Sequence, residues 1–139
     1  MKWLGLVSVL VAGCAEKAQP PKTSTELRVP LPDGWVATGS SERLLAGPPG
    51  RPAVSFEPKL EPLPALDALL AAAAAQKAGS IQGIQAPGFV GARYSLESQE
   101  AFIGVKQVGA RSVWCASLHG ATDAEVVDAL NACRETSPR

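Results

Sequence analysis

Histidine is almost missing from this sequence: His119 is the only one, and it sits between Leu118 and Gly120 in what reads as a loop. A metal centre would therefore lack imidazole ligands, and the spacings of the three cysteines match no zinc pattern. A serine hydrolase would lack a base beside its nucleophile unless His119 served. There is no Gly-x-Ser-x-Gly elbow, no phosphate-binding Gly-Lys-Ser/Thr loop and no Cys-x-x-Cys pair. Excess charge is absent too, with 13 basic against 13 acidic side chains and no basic run. That speaks against nucleic acid or an anionic lipid surface as partner. No apolar run approaches the roughly 20 residues a membrane-spanning helix needs. The expectation is a protein that is not an enzyme and uses no cofactor and no metal.

What is present begins at the N-terminus. Met1-Lys2 carries one positive charge, and Trp3 to Val11 follows without charge or proline. This is a basic start and an apolar core of secretory length. The run ends in Leu10-Val11-Ala12-Gly13-Cys14, which resembles the lipobox of bacterial lipoproteins. The resemblance implies that residues 1–13 are a signal peptide and that the Cys14 thiol takes a diacylglyceryl group. The freed amine can then receive a further acyl chain such as palmitate. Two or three chains anchor stably where one holds marginally. The membrane is then a partner through the lipid anchor, and the protein lies in the cell envelope. Ala15 stands where an aspartate would signal inner-membrane retention, so the outer membrane, facing the periplasm, is favoured over the inner.

Lipidation of Cys14 leaves Cys115 and Cys133. An even remainder in an oxidising space is a disulfide candidate, and this pair is expected to bond.

Residues 14–25 read as the lipidated cysteine and a flexible tether, polar with Pro20-Pro21 inside and without apolar period. A single α+β domain is expected over 26–135, with a frayed end at 136–139. Leu27, Val29 and Leu31 alternate with Arg28, Pro30 and Pro32, an edge-strand pattern. Pro32-Asp33-Gly34 marks a turn, and Trp35-Val36 begins another extended piece. Trp35 reads as a core or rim anchor. Ser41–Ala46 and Ala53–Glu57 flank Gly47-Pro48-Pro49-Gly50 as a hairpin. Pro64 opens a helix with the stripe Leu66, Leu69, Leu70 and Ala73, which Gly79 is expected to stop. The period then becomes two. Ser80–Ala86, Val90–Glu97, Ala101–Val108 and Arg111–Leu118 form an antiparallel meander. Both faces of the last strand are apolar, which places it centrally. Thr122-Asp123-Ala124-Glu125 is a capping box opening a helix whose buried face carries Val126, Ala129, Leu130 and Cys133.

The order of elements, the Leu31-Pro32-Asp33-Gly34-Trp35 opening and Leu66-Asp67-Ala68-Leu69 resemble the PsbP-like and DcrB-like α/β/α sandwich over residues 26–133. That resemblance implies an antiparallel sheet, hairpin plus four-stranded meander, packed with two helices. It carries no catalytic residues. Its members are mostly non-enzymatic binders or assembly factors, so an envelope protein partner is expected, in a non-catalytic role. The alternative is a small-ligand or cell-wall glycan binder, or a weak hydrolase. For that chemistry Glu97 and Glu100, flanking a hairpin turn, are the first candidates. A closed concavity lined by Trp35, Trp114 or Tyr94 would favour the alternative. A flat apolar patch would favour the protein partner.

Overall fold

The computed structural model describes residues 27–138. Cys14, the apolar leader before it and the tether that follows lie outside the described residues.

The chain runs β1 (Leu27–Arg28), β2 (Val36–Gly39), β3 (Leu44–Gly47), β4 (Val54–Lys59), α1 (Leu66–Ala75) and β5 (Gly79–Ala86). It continues with β6 (Phe89–Leu96), β7 (Gln99–Val108), β8 (Arg111–Ser117), α2 (Asp123–Arg134) and β9 (Ser137–Pro138). This is an α+β fold. The order β2-β3-β4-β8-β7-β6-β5 makes one seven-stranded sheet, and β1 pairs separately with β9. Every pairing among the described strands is antiparallel. β8 sits in the middle, where Phe56↔Cys115 and Gly104↔Cys115 join hairpin to meander.

Because strand side chains alternate faces, odd and even positions sort into two cores. On one face Val54, Phe56, Phe89, Phe102, Val113 and Cys115 pack with Val126, Ala129, Leu130 and Cys133 of α2. On the other, Val90, Ala92, Tyr94 and Val105 pack with Leu69 and Ala73 of α1. One helix therefore covers each face. Phe56, Phe89 and Phe102 are at most 1 % exposed, each worth about 1.5–3 kcal/mol in burial. Phe89 lies over the cross-strand pair Gly91↔Gly104. A Cβ on either glycine would come within 3.0 Å of its ring. The glycines let this ring lie flat on the sheet, the device by which an aromatic covers strand glycines.

Helix α1 is Ala-rich, which favours it intrinsically. Its N-cap, Ala65, offers no side-chain bond. It ends before the expected stop: Lys77 takes the left-handed position at φ 62°. The Lys77 N–H bonds Ala74 O at 2.9 Å and the Ala78 N–H bonds Ala73 O at 3.3 Å. That is a Schellman ending with lysine where glycine is usual. Gly79 is instead the first residue of β5.

Helix α2 has the expected capping box. The Glu125 N–H donates to Thr122 Oγ1 at 3.2 Å, and the Thr122 N–H donates to Glu125 Oε1 at 3.0 Å. Beyond it the expected fraying is corrected for residues 136–138. Thr136 is fully buried and its hydroxyl donates to Ala132 O at 2.9 Å, while Ser137 and Pro138 pair with β1. The chain end is held because Leu27, Val29 and Leu31 dock on the α2 core and bring β1 beside it.

Cys115 and Cys133 are joined, with Cα atoms 6.2 Å apart, within bridging range. Among the described residues, no helix is long and apolar enough to cross a membrane, and no group of three metal-ligating side chains gathers.

Candidate functional site

Antiparallel pairing brings the end of β6, the start of β7 and the end of β8 together at one end of the strands. Leu96 pairs with Gln99, and Ile103 pairs with Ala116, the last residue but one of β8. The C-terminal turn of α1 reaches the same place. Between them opens a cleft of about 310 Å³, lined by Gln76, Tyr94, Leu96, Glu97, Gln99, Glu100, Ala101 and the run Ser117, Leu118, His119. The two turn carboxylates, the single histidine and the single tyrosine thus meet, although no short motif links them in sequence.

Tyr94 is the most buried residue of the lining, at 7 % exposure. Burial pushes its phenol up from the ordinary range, and a hydrogen bond with Gln76 opposes this in part. The hydroxyl therefore stays protonated at neutral pH and keeps a proton to donate. Glu100 Oε1 accepts from Arg93 Nε at 3.0 Å, so one of its oxygens is committed to a cross-strand ion pair. Gln99 Nε2 donates to Ala121 O at 3.3 Å, which fixes the amide while its oxygen remains an acceptor.

Ser117 is the remaining hydroxyl of the lining. Its oxygen accepts the Phe102 N–H at 2.9 Å and donates to Phe102 O at 3.4 Å. Both roles are structural and tie β7 to β8. Glu97 and His119 are both exposed. The cleft can hold a polar ligand by hydrogen bonds and one carboxylate. It presents no nucleophile activated by a base.

The two tryptophans expected as cleft walls lie elsewhere. Trp35 packs half-buried against the α2 core. Trp114 projects from β8 onto the α1 face, with Lys59 Nζ 4.6 Å from its ring centroid. Its indole N–H is buried without a hydrogen-bond partner, as is the Ser112 hydroxyl two residues before it on the same face.

That face has a second notable region. α1 packs over β5 and β6 and only touches β7. Among the described residues no helix crosses β2, β3 or β4 on this side. Val36 is 45 % exposed there. A shallow groove of about 190 Å³ runs between the β2–β3 hairpin and the following loop, lined by Val36, Thr38, Leu45, Pro48 and Pro52 among others.

Glu97 and Glu100 are legible in the sequence as turn carboxylates. Tyr94 is legible as a candidate wall; the contribution of Gln76 and Gln99 is not, because only the packing of α1 and the register of the strands bring them there. No family model, curated protein or solved structure matches this chain.

Proposed function

We propose that this chain is a lipid-anchored envelope lipoprotein, held through Cys14, whose domain is a non-catalytic module that binds a protein partner or serves assembly. The observation that carries the reading is the Cys115–Cys133 disulfide. Such bonds persist in oxidising compartments, and the pair is what remains once Cys14 is assigned to lipid. The signal peptide at 1–13 and the tether at 14–25 belong to the same proposal, as does an outer-membrane position facing the periplasm.

The half-bare sheet supports a protein partner. A sheet face normally lies under a helix or a second sheet, and exposed apolar surface rimmed by polar groups marks interaction sites. Here Val36, Thr38 and Leu45 share the uncovered side, with Ser55 opposite Leu45 and Glu57 further along the same face of β4.

Labelling cells with a fatty-acid analogue should tag the protein, and Cys14→Ser should remove the tag. A label retained by that variant overturns the anchor. Cross-linking in intact cells should recover a constant envelope partner, and substituting Val36 and Leu45 by Asp should lose it.

One observation favours a second reading. The cleft beside Tyr94 collects several hydrogen-bonding side chains together with the apolar Leu96 and Ala101, the composition of a small-ligand site. It is an open cleft, and its aromatic is Tyr94 alone.

A further inference from the structure

We infer that this cleft takes a small polyhydroxylated ligand bearing a protonated amine, of the amino-sugar class, with Glu97 as the partner of its ammonium group. The inference rests on the small-ligand reading above and adds the chemical class and the residue that selects it.

Charge is the first argument. Two carboxylates line the cleft, but Arg93 neutralises Glu100 at 3.0 Å. Glu97 has no ion pair among the described residues. The lining therefore carries one unmatched negative charge beside neutral donors and acceptors. The Tyr94 hydroxyl and the Gln76 amide each offer a donor and an acceptor to the lining, and Gln99, whose Nε2 is committed to Ala121 O, keeps its oxygen as an acceptor. Such a set matches hydroxyl groups around a single cation. The volume, about 310 Å³, lies at the lower end of the ~300–1,000 Å³ of small-molecule sites.

The backbone is the second argument. The meander has three tight turns. Two place glycine at the left-handed position: Gly88 at φ 68° and Gly109 at φ 63°. The third, at the rim of the cleft, has Glu97 at φ 53° and Ser98 at φ 66°. Two consecutive left-handed residues between the paired Leu96 and Gln99 make the hairpin turn that Asn-Gly suits best. Glutamate and serine there carry conformational strain that the other two turns avoid. Strain of this kind persists at sites that are used, and Glu97 is one of the residues lining the cleft.

The full-length chain, in a detergent without a sugar headgroup, is titrated while amide ¹H–¹⁵N shifts are followed. The probes are a de-N-acetylated chitin disaccharide, its N-acetylated form and a neutral glucose disaccharide. The free amine should shift Glu97, Ser98 and His119 and bind at least tenfold more tightly than the other two. Glu97→Gln should reduce it to their level. Replacing the turn by Asn-Gly (Glu97→Asn with Ser98→Gly) should raise the melting temperature while losing the same discrimination. Equal affinity for all three sugars overturns the amine assignment and leaves the small-ligand reading standing. No shift at the cleft with any probe overturns both. Full discrimination retained by Glu97→Gln overturns the role of that residue.

Discussion

Helix α2 is fixed at its start, along its buried face and at its end, whereas α1 is held by its buried face and its own propensity. At its start α2 has the Thr122–Glu125 box, and Arg51 adds a bidentate pair to Glu125 at 2.7 and 2.6 Å. Along its face Cys133 is bonded to the central strand. At its end Lys106 Nζ donates to Arg134 O at 2.5 Å, and Arg134 itself bonds Asn131. α1 begins without a side-chain cap and leaves through a strained lysine. The half-bare sheet lies on the α1 side, as do Tyr94, Leu96 and Ala101 of the cleft. The two faces therefore divide the work: one is closed and cross-linked, the other exposes surface and tolerates adjustment, as binding regions commonly do.

Removing the cross-link should disturb the comparison most. Replacing Cys115 and Cys133 together by alanine frees an 18-residue separation and should cost about 3 kcal/mol in the chain-entropy description. In the native protein, amide exchange should be slower in α2 than in α1. In the double variant that order should collapse, and an unchanged order would refute the division between the faces. Equilibrium urea unfolding gives the stability change directly.

Thr122→Ala removes one partner of the capping box and should destabilise by about 1 kcal/mol. The faster exchange should appear in the first turn of α2 and leave α1 untouched.

Lys77→Gly moves the other way. It relieves a left-handed residue and should stabilise by about 0.5–1 kcal/mol. Slower exchange at the end of α1 would narrow the gap between the helices. A loss of stability would mean that the Lys77 side chain has a role outside the turn.

A further effect is one of pH. Hydrogen bonds from Arg51, and then the backbone N–H of Thr122, hold the Glu125 carboxyl down at about 2. An unfolded glutamate titrates near 4.3, so the unfolded chain takes up the proton first. The stabilisation is complete above roughly pH 4.3 and fades as the pH falls toward 2. Arg51 is half exposed, so added salt should weaken the effect. In Glu125→Gln the acid limb of the stability profile should be shallower by one group, measured by thermal melts between those limits.

Local signals are sufficient for much of this fold. Thr122 to Glu125 specifies its helix start by a hydrogen-bond pattern that four residues complete among themselves. The alternation Val90, Ala92, Tyr94 and Leu96 assigns a face without reference to any other strand. The apolar residues on both sides of β8 require burial on both sides, hence a central position. Other features mislead because their cause is distant. Gly79 resembles a helix stop, yet Lys77 performs that role since β5 must start early enough to pair with β6. Thr136 to Pro138 resembles a frayed end, yet β1 crosses the α2 core and pairs with it.

From the sequence alone came the pattern of strands and helices, the capping of α2, the lipobox-like leader and the cysteine arithmetic. Each depends on neighbours in the chain or on simple counting. Only the tertiary structure decided that Tyr94, Glu97, Glu100 and His119 share one cleft, and that α1 leaves part of its face bare. Strand register and helix length set those distances, and both are outcomes of long-range packing that no short stretch of chain encodes.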